Sequence, residues 1–145
     1  MKYKAFLTLL FLLSTQAFAF SSNWVLIAET NKQEMYIDKD SIEAESPRFK
    51  KAWEKTKYED GFVDDTTSDV IRISETFDLY DCEAKKISNL KIIDYDDDGN
   101  LMHHFDFIGN YYRNHPKQRW DEVVPGSIGE DILNFVCNNV IKKKG

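Results

Sequence analysis

The sequence predicts an α+β fold in which an antiparallel β-sheet of about six strands, connected as a meander, carries a C-terminal α-helix on one face. Runs rich in β-branched and aromatic residues recur from Trp24 to Ile108 and are separated by polar turns. One helical pattern follows them, beginning at Ser127. Strands and helices do not alternate along the chain, so a parallel sheet is not expected.

The C-terminal helix has the clearest local signals. Pro125-Gly126 interrupts the preceding chain, and Ser127 followed by Glu130 has the spacing of a capping box. Placed at helical spacing, the apolar residues cover well over half of the circumference: Ile128, Ile132, Leu133, Phe135, Val136 and Val140. Such a wide apolar arc predicts a helix that packs on a large hydrophobic surface.

Three strands are predicted in the first part of the chain, at Trp24–Glu29, Glu34–Asp38 and Arg48–Tyr58, because these segments are rich in residues that favour strands. The following segment, Glu59–Asp69, is polar, acidic and contains a glycine. It is therefore predicted to be a mobile loop.

Three further strands are predicted after that loop, at Val70–Tyr80, Lys85–Tyr95 and Leu101–Ile108. In the first, one face is expected to be the buried one: Ile71, Ile73, Phe77 and Leu79. In the second, the apolar residues change parity, which predicts a β-bulge: Ile87, Leu90 and Ile92. In the third, one face is expected to hold Leu101, Phe105 and Phe107.

Residues 1–19 have the pattern of a secretory signal peptide. Lys2 and Lys4 precede the apolar run Ala5–Leu13, and Ala17-Phe18-Ala19 ends the segment with small residues at the expected cleavage site. The apolar run is about half of the roughly 20 residues that span a bilayer, so a membrane-spanning helix is not expected. Residues 20–145 are predicted to be a single exported domain in the periplasm, at the cell surface or in the medium.

The charge balance restricts the partners. The net charge is −6, and removal of the two lysines of the predicted signal peptide would change it to −8. A strongly acidic protein is repelled by nucleic acids and by anionic membrane surfaces, so neither is expected as a partner.

The two cysteines, Cys82 and Cys137, are expected to form one disulfide. Export favours oxidation, and neither cysteine has a neighbour at metal-ligand spacing. A pair of free thiols is the alternative.

The acidic segment Asp94–Leu101 matches the first eight positions of a calcium-binding EF-hand loop, with carboxylates at Asp94, Asp96 and Asp98. Phe105 occupies the twelfth position, where the loop requires glutamate. A solvated hairpin turn is therefore the favoured interpretation, and calcium binding is the alternative.

The histidines do not predict a metal site. His103 and His104 are adjacent in a predicted strand, so their side chains point to opposite faces, with His103 expected on the side of Phe105. His115 lies in a predicted loop without a carboxylate cluster nearby. No cofactor is predicted.

An enzyme is not predicted, because the sequence lacks a nucleophile elbow, a zinc-protease motif and a phosphate-binding loop. Gly126-Ser127-Ile128-Gly129-Glu130 is explained by helix capping. The alternative is a periplasmic enzyme or metal-dependent protein that uses His103, His115 and the carboxylates of Asp94–Asp98.

One loop collects aromatic and basic side chains in this acidic protein, and its candidate partner-binding residues are Tyr111, Tyr112, Arg113, Lys117 and Arg119, with His115 and Trp120 beside them. Aromatic residues and arginine dominate protein-binding hot spots. The competing interpretation is that Tyr112 and Trp120 fill a gap between this loop and the core.

Four stretches of the chain resemble the surface-adhesin protein E family: Trp24–Ile27, Tyr36–Ile42, Phe77–Cys82 and Trp120–Cys137. The last is the most specific, because its P-G-S-x-G-E element is closed by a helical cysteine. The resemblance implies a small antiparallel sheet with a C-terminal helix and a bridge between the two cysteines. It also implies attachment to host matrix proteins and a location in the bacterial envelope or at its surface. A non-enzymatic module that binds a protein or cell-envelope partner is therefore predicted.

Overall fold

The computed structural model describes residues 22–107 and 120–139. Over these ranges the chain forms an eight-stranded antiparallel sheet and one α-helix, which confirms the predicted α+β class. The elements are β1 (Trp24–Glu29), β2 (Gln33–Asp38), β3 (Glu43–Ala44), β4 (Phe49–Val63), β5 (Val70–Asp81), β6 (Lys86–Tyr95), β7 (Leu101–Asp106), β8 (Asp121–Glu122) and α1 (Ile128–Asn138), with a short 3-10 helix at Lys39–Ser41.

The sheet is a meander. Its order is β1-β2-β4-β5-β6-β7, so each of the six long strands pairs with the next one along the chain. The six predicted strands are confirmed. The two-residue strands β3 and β8 pair with β4 and β6, and they were not predicted because two residues carry no recognisable pattern.

The predicted loop at Glu59–Asp69 is wrong over its first half. Strand β4 continues to Val63, and the register between β4 and β5 shifts between Lys57 and Phe62. Gly61 lies in this shift with a φ of 81°, a left-handed backbone that glycine adopts without strain. Since the glycine permits a bulge, β4 resumes pairing with β5, and only the residues after Val63 form the turn.

The core lies between α1 and one face of the sheet. From the helix, Ile132, Leu133 and Val136 are buried against side chains of the sheet and of the segment after β2, namely Ile37, Ile42, Ala52 and Tyr80. The helix contacts β1, β4 and β5. It therefore covers one half of the sheet, and the predicted packing of the helix on one face is confirmed.

The predicted start of the helix is also confirmed, with one difference in its capping. Ser127 Oγ accepts a hydrogen bond from the backbone N–H of Glu130 at 3.3 Å. The Glu130 carboxylate accepts from the N–H of Gly126 at 2.7 Å, one residue earlier than in a standard capping box. Val140, which the sequence assigned to the apolar arc, lies outside the described residues.

The predicted buried face of β5 is confirmed at Ile71, which is 5% exposed, but it is not the face that the helix covers, and Ile73, Phe77 and Leu79 are only partly buried. The face under α1 is the one that holds Asp78 and Tyr80, which are 2% and 0% exposed. Phe77 lies on the opposite face, where its ring contacts that of Trp53 at 5.2 Å between centroids. Alternation distinguishes the two faces of a strand, but it assigns the polar one to solvent. Here Thr76 and Asn89 hydrogen-bond to Asp78 on the face that carries the helix.

The predicted bulge in β6 is confirmed at Leu90, because Phe77 pairs with Lys91 and Asp78 pairs with Asn89. A second irregularity, at Met102, was not predicted. It lies between the pairs Asp94–His103 and Tyr95–Leu101 and places Leu101 and Phe105 on opposite faces. The predicted common face therefore fails for Leu101, whereas the rings of Phe105 and Phe107 stack with centroids 6.2 Å apart.

Candidate functional site

A disulfide joins the helix to the sheet. Cys82 follows β5 and Cys137 lies in the last turn of α1, with an S–S distance of 2.08 Å and a Cα–Cα distance of 5.7 Å. The predicted bridge is confirmed. It places the end of the helix beside the turn between β5 and β6.

Lys50 holds the same end of the helix from the sheet. Its ammonium donates to the carbonyl oxygens of Val136, Cys137 and Asn139 at 3.2, 2.7 and 2.8 Å. The last carbonyls of a helix lack partners within the helix and carry partial negative charge, so a lysine there is favourable. Burial lowers the pKa of Lys50. The sequence did not reveal this role, because the contacts span more than 80 residues.

A partly buried ion pair lies next to the disulfide. Arg48 Nε donates to Asp81 Oδ1 at 2.8 Å, and Asp81 is only 3% exposed. The same carboxylate accepts from the N–H groups of Glu83 and Ala84. The Arg48 guanidinium lowers the pKa of Asp81, so this buried carboxylate is ionised and fastens the start of β4 to the turn after β5.

A second buried carboxyl group on β5 has no cation among its hydrogen-bond partners in residues 22–107 and 120–139. Asp78 accepts from the Thr76 hydroxyl at 2.6 Å and from the Asn89 amide at 2.7 Å. Glu54, on β4, accepts from the Tyr80 hydroxyl at 3.4 Å. Burial raises the pKa of Asp78 to about 7 and, together with the nearby Asp78, that of Glu54 to about 8. Sequence reasoning missed this pair, because alternating polar residues in a strand indicate a solvated face.

A groove of about 530 Å³ lies at one end of the sheet, between the β1–β2 turn and the β6–β7 turn. Of the described residues, six carboxylates line it, together with the two cations Lys57 and Arg72. Each of these cations is near a carboxylate, Lys57 at 3.9 Å from Glu34 and Arg72 at 3.3 Å from Asp97. The groove is therefore negatively charged.

The acidic segment after β6 forms a hairpin turn that Asp96 organises. Asp96 Oδ1 accepts from the N–H groups of Asp98 and Asn100 at 3.0 and 2.8 Å, and these and the Asn100 amide lower the pKa of Asp96. Asp94 lies apart on β6, buried, and accepts from the Ser74 hydroxyl at 2.7 Å. Among residues 22–107 and 120–139, no three histidine, cysteine or acidic side chains are grouped to hold a metal ion.

His103 and His104 point to opposite sides, as predicted. The His103 side chain is 17% exposed and its ring lies 5.9 Å from that of Phe105, whereas His104 is exposed. His103 Nε2 is 3.3 Å from an Asp69 oxygen, and Nδ1 is 3.4 Å from an Asp94 oxygen without forming a hydrogen bond. His115, the other histidine of the metal-dependent alternative, lies outside the described residues.

The candidate partner-binding residues Tyr111, Tyr112, Arg113, Lys117 and Arg119 also lie outside the described residues. Trp120 is described, and its ring stacks on that of Phe49 with centroids 6.0 Å apart. For Trp120, the structure therefore supports packing against the sheet.

The comparison with protein families decides the assignment. Residues 24–138 match the family model of surface-adhesin protein E. The chain belongs to the surface-adhesin protein E family. Membership makes it a surface-adhesin-type protein. No curated protein matches the sequence.

Two solved structures have the fold of this member of the surface-adhesin protein E family. The selenomethionine form of Haemophilus influenzae protein E superposes with a TM-score of 0.53 at 14% identity, covering 82% of this chain and 88% of the other. A second structure of Haemophilus influenzae protein E gives a TM-score of 0.52 at 14% identity, covering 81% and 85%. At this identity the likeness shows a shared fold alone.

The sequence predicts that this member of the family has no membrane-spanning helix. In the part of the chain that the structure describes, no helix has both the length and the hydrophobicity required to cross a bilayer.

Proposed function

We propose that this chain is a non-enzymatic binding module that is exported through the signal peptide at residues 1–19 and attaches to a protein or cell-envelope partner, with a host extracellular matrix protein as the first candidate. The observation that carries the proposal is the family match over residues 24–138. The predicted signal peptide supports it, since such a segment directs a protein out of the cytoplasm.

The scaffold suits recognition by loops and turns. The disulfide, Lys50 and the Arg48–Asp81 pair fasten the helix end and the central strands to one another. Adhesion requires a contact surface held in one shape, because ordering a mobile surface on binding reduces affinity. The segments between the elements are then the parts available for contact.

The predicted contact surface is the aromatic and basic patch formed by Tyr111, Tyr112, Arg113, Lys117 and Arg119. Side chains of these types supply large contact area and charged hydrogen bonds, which is why they dominate binding hot spots. On an acidic protein, such a patch is also a local site of attraction for a negatively charged partner surface.

Binding of the purified protein to a panel of immobilised extracellular matrix proteins tests the proposal. Saturable binding to at least one of them is expected. Replacing Tyr111, Arg113 and Arg119 together by alanine is expected to abolish this binding without lowering the melting temperature. The matched control replaces Glu29, Glu59 and Asp98, which line the acidic groove, by their amides.

Each outcome has a distinct meaning. If the alanine variant still binds, the aromatic and basic patch is not the binding site. If the amide variant loses binding, the acidic groove is the contact surface. If no matrix protein and no component of a bacterial envelope extract binds saturably, the adhesin proposal is wrong.

The metal-dependent alternative has its own test. On the non-enzymatic proposal, calcium or zinc added to the purified protein leaves the melting temperature unchanged, because a ligand that binds only the folded state would raise it. A rise with calcium that disappears in Asp96→Asn would instead assign a metal site to the acidic turn.

A further inference from the structure

Two carboxyl groups lie on the sheet face that carries the helix. In the β4–β5 ladder, Ala52 pairs with Asp78 and Glu54 pairs with Thr76. Paired residues, and residues two apart on one strand, share a face. Glu54 and Asp78 are therefore diagonal neighbours on the face where Ala52 contributes to the core under α1.

Asp81 is a buried carboxylate of the same sheet whose negative charge is balanced by a bound cation, and it can be compared with Asp78. Asp78 and Asp81 are almost equally buried, at 2% and 3% exposed. Asp81 is bound by the guanidinium of Arg48, whereas the partners of Asp78 are an uncharged hydroxyl and an uncharged amide. Among the described residues, the face of Asp78 also carries Lys50 and Arg72, and each is bound elsewhere: the Lys50 ammonium to helix carbonyls and the Arg72 guanidinium to the Glu59 carbonyl.

Tyr80 connects this pair to the helix. Its side chain is completely buried in the core cluster that includes Ile132, Leu133 and Val136 of α1. Its hydroxyl hydrogen-bonds to Glu54 at 3.4 Å. A change in the charge or hydration of the carboxyl pair is thus transmitted to a ring on which the helix packs.

We propose that Glu54 and Asp78 form a proton-dependent latch beneath α1, which holds the helix on the sheet when both carboxyls are protonated and loosens it when both ionise. Two neighbouring negative charges beside a buried ring require water. Glu54 is partly exposed, but Asp78 is only 2% exposed, so its hydration requires the packing on this face to open. The disulfide keeps an opened helix attached to the sheet, so the opening is reversible.

Among the described residues, no cation that faces the pair is bound to either carboxyl group. On β4 and β5 the facing groups are Lys50, whose ammonium is bound to helix carbonyls, and Tyr58 and Tyr80, whose pKa values burial raises, so both hydroxyls stay neutral. On β6 they are Asn89 and Asp94, of which the first is uncharged and the second is acidic. Strand β2 contributes Ile37 to this face, and α1 contributes three apolar side chains.

The raised pKa values of Asp78 and Glu54 determine how the stability of the closed state depends on pH. In the folded protein the pKa is about 7 for Asp78 and about 8 for Glu54, whereas exposed carboxyls ionise near pH 4. The closed state therefore holds protons that the open state has released. The stabilisation by this pair is complete at and below about pH 4 and is lost as the pH rises through 7 and 8.

Hydrogen exchange of the α1 amides tests the latch in the purified, oxidised protein. Between pH 5.5 and 8.5, exchange corrected for its intrinsic pH dependence is expected to rise at least about tenfold in the wild type, since each pKa unit changes the opening equilibrium up to about tenfold. In the double variant Glu54→Gln and Asp78→Asn the corrected rise is expected to stay below about twofold. Glu43→Gln, an exposed carboxylate on β3, is the matched control and should behave as the wild type.

Two results would overturn the proposal: a corrected exchange rate in the wild type that does not change with pH, or a rise of wild-type size in the double variant. If the double variant does not fold, the single variant Glu54→Gln replaces it, and its pH-dependent rise in corrected exchange is compared with that of the wild type. In that variant a rise reduced by at least about threefold supports the latch, and a smaller reduction refutes it.

Discussion

Replacing Lys50 by methionine tests whether the lysine holds the end of the helix. Methionine keeps most of the aliphatic stem but removes the ammonium that donates to the carbonyls of Val136, Cys137 and Asn139. The variant is expected to lose free energy of unfolding and to expose the last turn of α1 first.

The magnitude follows from two contributions that stabilise the lysine contact and two that oppose them. A hydrogen bond from a charged donor contributes about 1.5–3 kcal/mol, and a cation at a helix C-terminus adds about 0.3–1 kcal/mol. Burial of the ammonium opposes them, as the lowered pKa of Lys50 shows, and water can replace part of the lost bonding at the partly exposed Cys137 and Asn139. The net loss expected for Lys50→Met is therefore about 2–3 kcal/mol, or roughly 6–15 °C in the melting temperature of a domain of this size.

Urea unfolding at pH 6, followed by circular dichroism and tryptophan fluorescence, measures the loss. Lys51→Met is the matched control, because Lys51 is the next residue of β4 and pairs at 3.0 Å with the exposed Glu45. An exposed pair of this kind contributes no more than about 1 kcal/mol. If the two variants unfold within about 0.5 kcal/mol of each other, Lys50 does not hold the helix end.

Two further substitutions probe the scaffold. Replacing Cys82 and Cys137 by serine opens a loop with a sequence separation of 55 residues, and the chain-entropy model gives a loss of about 4 kcal/mol, to be measured by urea unfolding; a loss below about 1 kcal/mol would contradict it. Gly61→Ala places a methyl group in a left-handed position against the Val70 side chain, whereas at Gly99 the same change meets nothing within 4 Å. Gly61→Ala is therefore expected to cost about 1–2 kcal/mol more than Gly99→Ala in the same assay, and equal losses would show that the β4 bulge tolerates a side chain.

The elements that the sequence predicted correctly depend on neighbouring residues. The start of α1 depends on Ser127 and Glu130, and the bulge at Leu90 appears as a parity change within a single strand. Short-range patterns of this kind are visible in a sequence, because the interactions that produce them span only a few residues.

The features that the sequence did not predict have three different causes. The alternation in β5 was recognised, but its polar face is the covered one, and that choice is made by contacts between Tyr80 and a helix about 50 residues later. The extension of β4 to Val63 was missed for a local reason, because Gly61 adopts a left-handed conformation that lets the strand continue through acidic sequence. The contacts of Lys50 join residues more than 80 positions apart, and no local pattern indicates them.

Some features of the candidate site could be predicted from the sequence and others could not. The pairing of Cys82 with Cys137 and the separation of His103 from His104 could be predicted, because one follows from oxidation chemistry and the other from the period of a strand. The carboxyl pair Glu54 and Asp78 could not, because its members are 24 positions apart and only strand register makes them neighbours.

The attachment points of the helix impose an order on folding. Lys50 and Cys82 lie in the middle of the chain, and the helix that they hold is made after all of the long strands. Until the helix is made, a growing chain therefore has a nearly complete sheet with one hydrophobic face uncovered. Exposed hydrophobic surface of this kind makes a folding intermediate prone to aggregate. A chain truncated before Ile128 would remain in that state, and chaperones that shield sheet surfaces would be needed for as long as the last segment is delayed.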